Sequence, residues 1–147
     1  MEIFTLGFVK KTAEEFFTLI KENKIELLID IRSNNQTQLP GLTKGRDLEF
    51  FLNEICHCQY AYEPLFTPTK ELVEDYLDGS ITWPEYETIF NEIMEERKIE
   101  QIFQEKYSHF NRVCLLCSEQ DPMNCHRRLV AERLKDKLQT DVEIIHI

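Results

Sequence analysis

Glycine and proline are scarce in this chain, 4 and 5 residues in 147, which excludes a low-complexity or linker-rich protein. Long apolar runs are missing too, since nothing approaches the ~18 consecutive apolar residues of a membrane span. The opening Met1-Glu2-Ile3-Phe4 lacks the basic-then-apolar order of a secretion signal, so a cytoplasmic protein with no membrane partner is expected. Positive charge is in short supply: 17 Lys and Arg stand against 27 Asp and Glu, a net charge of −10. Such a surface repels polyanions at long range, and bulk nucleic acid is not an expected partner. A local group of arginines can still hold one small anion. Cysteines number five, namely Cys56, Cys58, Cys114, Cys117 and Cys125. An odd count without a signal speaks for reduced thiols rather than a disulfide framework.

What remains is enough apolar material for one core, with 42% hydrophobic and 30% charged residues. A chain of this length makes one domain, spanning residues 1–147. Residues 2–6 form a short β-favouring run closed by Gly7. Thr12 and Glu15 sit at capping-box spacing ahead of Phe16, Phe17, Leu19 and Ile20, which recur at a helical period. Residues 26–31 are nearly all apolar and predict a strand buried on both faces, ending in a turn at Arg32-Ser33-Asn34-Asn35. The spacing predicts a helix over 47–55, a weaker strand over 59–62, and helix from 69 to 107 interrupted at Asp78-Gly79-Ser80. A second buried strand is expected over 112–117. Asp121 and Pro122 are expected to open a helix running through Leu138, with a last strand over 142–147. This alternation builds an α/β fold: a single three-layer, Rossmann-like domain with a mostly parallel sheet of about five strands. Right-handed crossovers place early and late strands on either side of the first.

Open parallel sheets bind ligands beyond the carboxyl ends of their strands. That rule selects Gly7-Phe8-Val9, Arg32-Ser33-Asn34 and Cys117-Ser118-Glu119, joined by Cys125-His126-Arg127-Arg128 about one turn into the next helix. Free N–H groups and the helix dipole favour a thiolate or an anion there. Arg32 offers a bidentate fork for phosphate or carboxylate. The same residues have plainer readings: Cys114 as a core thiol, His126 in line with Val130 and Leu134 as a core histidine, Glu119 as a cap or ion-pair partner, Arg127 and Arg128 as solvated surface. Two adjacent arginines at a helix start run against the dipole, which favours an anion or a carboxylate nearby.

Two metal or phosphate chemistries are disfavoured. Cys114 and Cys117 are three apart on a strand and face opposite ways, and Leu115-Leu116 is unlike the interior of a zinc knuckle. Cys56-His57-Cys58 lacks a second ligand pair, so no metal is expected. A phosphatase loop needs an arginine after its cysteine, whereas Cys117 is followed by Glu119 and Asp121. Persulfide transfer of the rhodanese kind stays open.

Thr5-Leu6-Gly7, Leu28-Ile29-Asp30-Ile31-Arg32-Ser33, and Leu116-Cys117-Ser118-Glu119 followed by Cys125-His126-Arg127 resemble the motifs of the family catalogued as domain of unknown function 488, the YeaO-like proteins. The resemblance runs from Thr5 to His146, a histidine like one in that family's last strand. It implies an α/β fold with a shared cluster of Arg32, Ser33, Cys117, Glu119, Cys125, His126 and Arg127, and no known activity or cofactor. This chain departs at Phe8-Val9, where members often carry His-Ser. It departs again at Asn34-Asn35-Gln36-Thr37-Gln38, where many have Pro and Arg.

Three readings follow. The first is an enzyme in which Gly7, Arg32, Ser33 and Arg127 hold a small phosphate- or nucleotide-like anion, while Cys117, Glu119, Cys125 and His126 carry thiol and proton chemistry. The second is a non-catalytic module in which Glu119 pairs with Arg32 or Arg127 as an internal staple. The third is a nucleic-acid accessory protein using Tyr60, Tyr62, Phe66 and Trp83 as stacking groups. Substrate, cofactor and oligomeric state are left unknown by the sequence.

Overall fold

In the computed structural model, which describes residues 1–34 and 41–147, five strands lie parallel in one sheet. They are β1 (Glu2–Gly7), β2 (Leu27–Asp30), β3 (Gln59–Tyr62), β4 (Arg112–Cys117) and β5 (Glu143–His146). Their order is β3-β2-β4-β1-β5. The expected α/β architecture is therefore present, with a sheet that is wholly parallel. The late strand β4 is inserted between β1 and β2, and β5 flanks β1 on its other side.

Six α-helices cover the sheet among the described residues: α1 (Ala13–Glu22), α2 (Gly45–Phe51), α3 (Lys70–Leu77), α4 (Trp83–Arg97), α5 (Ile99–Tyr107) and α6 (His126–Lys137). Strand alternation sorts the core into two sets. Phe4, Leu6, Leu28, Cys114 and Leu116 pack under α1 and α2 with Phe16, Ile20, Leu48 and Leu52. Ile3, Ile29, Val113 and Leu115 pack on the other face with Phe90, Met94, Phe103, Val130 and Leu134 of α4, α5 and α6. Each such side chain contributes roughly 1.5–3 kcal/mol of burial.

Local signals explain most boundaries. Thr12 accepts the Glu15 N–H at 3.1 Å and opens α1. At α4, Thr82 accepts the Glu85 N–H at 3.3 Å while Glu85 accepts the Thr82 N–H at 3.3 Å, a reciprocal cap. The long helical stretch breaks a second time, at Lys98, whose φ of 53° closes α4 and restarts the chain as α5. The helix predicted over 47–55 starts at Gly45 and passes into a π-helical turn, Leu52–Cys56.

One expectation is corrected at the edge that matters. Asp121 and Pro122 do not open α6. Asp121 instead accepts the Met123 N–H at 2.9 Å, and the Cys125 N–H returns to the Pro122 carbonyl at 3.2 Å. This extra turn moves the start of the helix, so that Cys125 is its N-cap and His126 its first residue.

Candidate functional site

The β4 strand delivers Cys117 to the carboxyl edge on the α4 and α6 side, while Cys114 points into the opposite core. The turn after β4 then brings the N-terminus of α6 back over the strand end. Cys117, Cys125 and His126 converge there, all buried, with their sulfur and nitrogen atoms within 4.8 Å of one another. The Cys117 sulfur lies 3.6 Å from His126 Nδ1 and 3.9 Å from Nε2. His126 Nε2 is 2.7 Å from the Ile31 carbonyl. A carbonyl only accepts, so Nε2 carries the hydrogen and Nδ1 the lone pair, while the Cys117 sulfur, nearly as far from Nε2 as from Nδ1, lies beside the ring and off that lone-pair axis. Phe90 meets the imidazole edge-on, with ring centroids 6.0 Å apart, and fixes its plane.

The surroundings stabilise negative charge on Cys117. The Cys125 thiol donates to it, and the Ser118 and Glu119 N–H groups and the Arg127 charge add to the effect, so its pKa falls despite burial. That same donation, together with burial, pushes Cys125 up. Burial raises Cys58 to about 12 and raises Cys114 as well, which marks both as core thiols.

A cleft of about 600 Å³ opens above the triad. Arg32, Ser33, Asn34, Cys117, Glu119, Cys125 and His126 line one part of it, and α3 and the start of α4 supply the rest. Trp83 stacks on Tyr86 at 4.6 Å and 16°, with Tyr76 tilted against both at 5.4 and 5.5 Å. Of this aromatic wall the sequence reading named Trp83 alone, as a stacking group, and missed Tyr76 and Tyr86. Its one signal is the i, i+3, i+7 row Trp83, Tyr86, Phe90, which by itself reads as a core stripe.

Not every residue selected from the sequence lines the cleft. Gly7 lies behind it, where a Cβ would collide with the Glu119 carbonyl, so the β1 and β4 loops touch only because this position is glycine. Phe8 and Val9 donate to the Cys117 and Ser118 carbonyls at 3.3 and 3.1 Å, tying these loops together. Arg127 also lies behind the wall and donates to the Glu119 and Gln120 carbonyls, the latter at 2.9 Å. Arg32 does line the cleft, but Asp30 holds its fork at 2.8 and 2.7 Å, and Tyr60 donates to the same carboxylate at 2.7 Å. Asp30 was another omission. Two residues apart on an extended chain, it shares a face with Arg32, which is the signal for the pair. The Phe8 ring covers this guanidinium at 5.2 Å, so the departure from the family pattern at Phe8 buries Arg32 further.

The Glu119 carboxylate is exposed and pairs with neither arginine, contrary to the alternative reading of it as an internal staple. Arg128 is no solvated residue, since Glu87 and Glu132 bind it at 3.0 and 2.9 Å. Of the candidate stacking residues, Phe66 is fully buried and Tyr60 and Tyr62 are strand residues. His146 pairs with Thr5 at 2.5 Å across β1 and β5, away from the cleft. Asn35 through Gln38 of the second departure lie outside the described residues.

Residues 12–134 match the family described as domain of unknown function DUF488. The chain belongs to that family. The DUF488 match takes in the whole cluster from Arg32 to Arg127 and leaves Thr5-Leu6-Gly7 and His146 outside it. No curated protein and no solved structure matches the chain. Among the described residues of this DUF488 protein, no helix is long and apolar enough to cross a membrane.

Proposed function

We propose that the chain is a small-molecule enzyme with a cysteine nucleophile, Cys117 being the attacking sulfur and His126 Nδ1 the proton acceptor. One observation carries this reading: the Cys117 sulfur lies 3.6 Å from Nδ1 in the wall of a cleft open to ligands. In the reaction the sulfur bonds to an electrophilic centre of the ligand. The leaving group departs with its electron pair and takes the proton that His126 removed from the thiol.

The ligand follows from the lining. A volume of about 600 Å³ falls within the roughly 300–1,000 Å³ of small-molecule sites. The Tyr76, Trp83 and Tyr86 wall favours a planar ring, and the Trp83 indole N–H, buried without a partner, offers it a donor. Arg32, already held by Asp30, and Ser33 give the same lining polar groups, so a molecule with a planar ring and a polar substituent, as in a nucleoside, meets both halves of the cleft. The test is timed iodoacetamide labelling of the reduced, metal-free full chain, with each cysteine followed by mass spectrometry. Cys117 should react about tenfold or more faster than Cys58 and Cys114, and Cys117→Ser should remove the fast phase. Labelling of Cys117 only as the protein unfolds would sink the reading.

A further inference from the structure

We infer that Cys117, Cys125 and His126 form a zinc site of three protein ligands with its fourth position open to the cleft. The expectation of no metal rested on Cys114 and Cys117 facing opposite ways ahead of Cys125-His126, and on Cys56-His57-Cys58 lacking a second pair. The fold separates Cys114 from Cys117 and assembles a different set, two sulfurs and one nitrogen, which suits zinc among the common divalent ions.

The spacing is that of a metal site. Zinc holds sulfur at ~2.3 Å and nitrogen at ~2.1 Å, which at a tetrahedral angle puts the two atoms ~3.6 Å apart. The Cys117 sulfur and His126 Nδ1 are 3.6 Å apart. Two zinc-bound sulfurs sit ~3.8 Å apart, and every ligand atom here is within 4.8 Å of the others. A turn of the imidazole that carries the Cys117 sulfur from beside the ring, where it lies 3.9 Å from Nε2, onto the Nδ1 lone pair completes the geometry.

The imidazole has the tautomer of a metal-bound histidine. Its Nε2–H is held by the Ile31 carbonyl at 2.7 Å, which leaves Nδ1 as the ring's free donor atom, 3.6 Å from the Cys117 sulfur. Phe90 packs edge-on against the ring. The Ser118 and Glu119 N–H groups directed at Cys117 are the outer contacts that a zinc thiolate accepts. All three ligands line the cleft, so water or a ligand atom supplies the fourth position. Two thiolates neutralise the ion.

This inference goes beyond the thiol reading and does not depend on it. In the loaded protein Cys117 is a ligand and no longer a nucleophile, so zinc also controls the proposed reaction. The experiment titrates the reduced, metal-free full chain with zinc and with cobalt(II). Expected results are one equivalent bound, thiolate-to-cobalt charge-transfer absorption, and loss of fast Cys117 labelling as zinc is added. Cys125→Ser should weaken zinc by more than the about 10–100-fold that an outer-contact change costs, while Cys56→Ser should leave it unchanged. Circular dichroism checks that both variants fold. If Cys125→Ser does not fold, the cobalt spectrum and zinc protection of Cys117 in the unmodified chain decide the matter. Absence of stoichiometric binding, or binding moved by Cys56→Ser and not by Cys125→Ser, overturns the zinc site. Fast Cys117 labelling without zinc binding would leave the thiol reading standing alone. Slow labelling in the metal-free chain would end that reading whatever zinc does.

Discussion

Arg32 and Arg127 both lie at the carboxyl edge with only 2% and 1% of their surface exposed, and they are held by opposite means. Arg32 meets a carboxylate, and its bidentate contact with Asp30 makes a neutral unit that Tyr60 completes. Arg127 has no carboxylate at ion-pair distance among the described residues and is fixed by the Glu119 and Gln120 carbonyls. Its charge therefore persists in the interior and reaches its neighbours. Burial and then the Arg127 charge lower Lys11 and His146, and the same charge helps to hold Cys117 below the ordinary thiol value. Two buried guanidiniums at one edge thus do different things. The paired one fixes geometry, and the unpaired one sets the local potential.

The difference can be broken by substitution. Arg32→Ala leaves the fully buried Asp30 with Tyr60 as its remaining side-chain partner, and should cost about 3–5 kcal/mol in urea unfolding. Replacing both partners, Asp30→Leu with Arg32→Met, should recover much of that loss, since apolar pairs of similar volume are often as stable. If the double variant is no better than Arg32→Ala, the charge pair is not the source of the effect.

Arg127→Met removes a cation and two hydrogen bonds to carbonyls, a smaller loss of about 1–3 kcal/mol. It should slow Cys117 labelling, which Arg32→Ala in its folded fraction should do less. Equal stability losses for the two arginines would erase the distinction drawn between them. Gly7→Ala presses on the carbonyl that Arg127 clamps and should cost about 1–3 kcal/mol, read as a lower Tm. Tyr60→Phe should cost about 1.5 kcal/mol, the low end for a hydrogen bond to a charged group. Glu119→Gln should shift stability by no more than about 0.5 kcal/mol, because its carboxylate is exposed and touches neither arginine. A large drop in Tm for Glu119→Gln would restore the staple.

Much of the fold was readable because its signals are local. The bounds predicted for β3 and β4 match the observed Gln59–Tyr62 and Arg112–Cys117. Thr12 marks its helix through a side-chain cap only three residues long. The start of α6 was misplaced because Asp121 and Pro122 suit a tight turn as well as a helix start, and here the Met123 and Cys125 N–H groups close that turn on Asp121 and Pro122. Beyond Trp83, the aromatic wall escaped notice because it comes from α3 and α4, whose apolar spacing is the same whether a face covers the core or borders a cleft.

By itself, the sequence determined the strand–helix alternation, the parallel sheet, and the gathering of Arg32, Ser33, Cys117, Cys125 and His126 at the carboxyl edge. Those follow from side-chain periodicity and from the rule that loops after parallel strands share one edge. Only the tertiary structure decided which groups meet there. Strand order, the turn before α6 and the desolvation of two guanidiniums are nonlocal. They joined Arg32 to Asp30, Arg127 to two carbonyls, and Cys117 to Cys125 and His126 rather than to Cys114. A buried charge or thiol takes the partner that the packed chain brings within reach, and no spacing along the sequence specifies that partner.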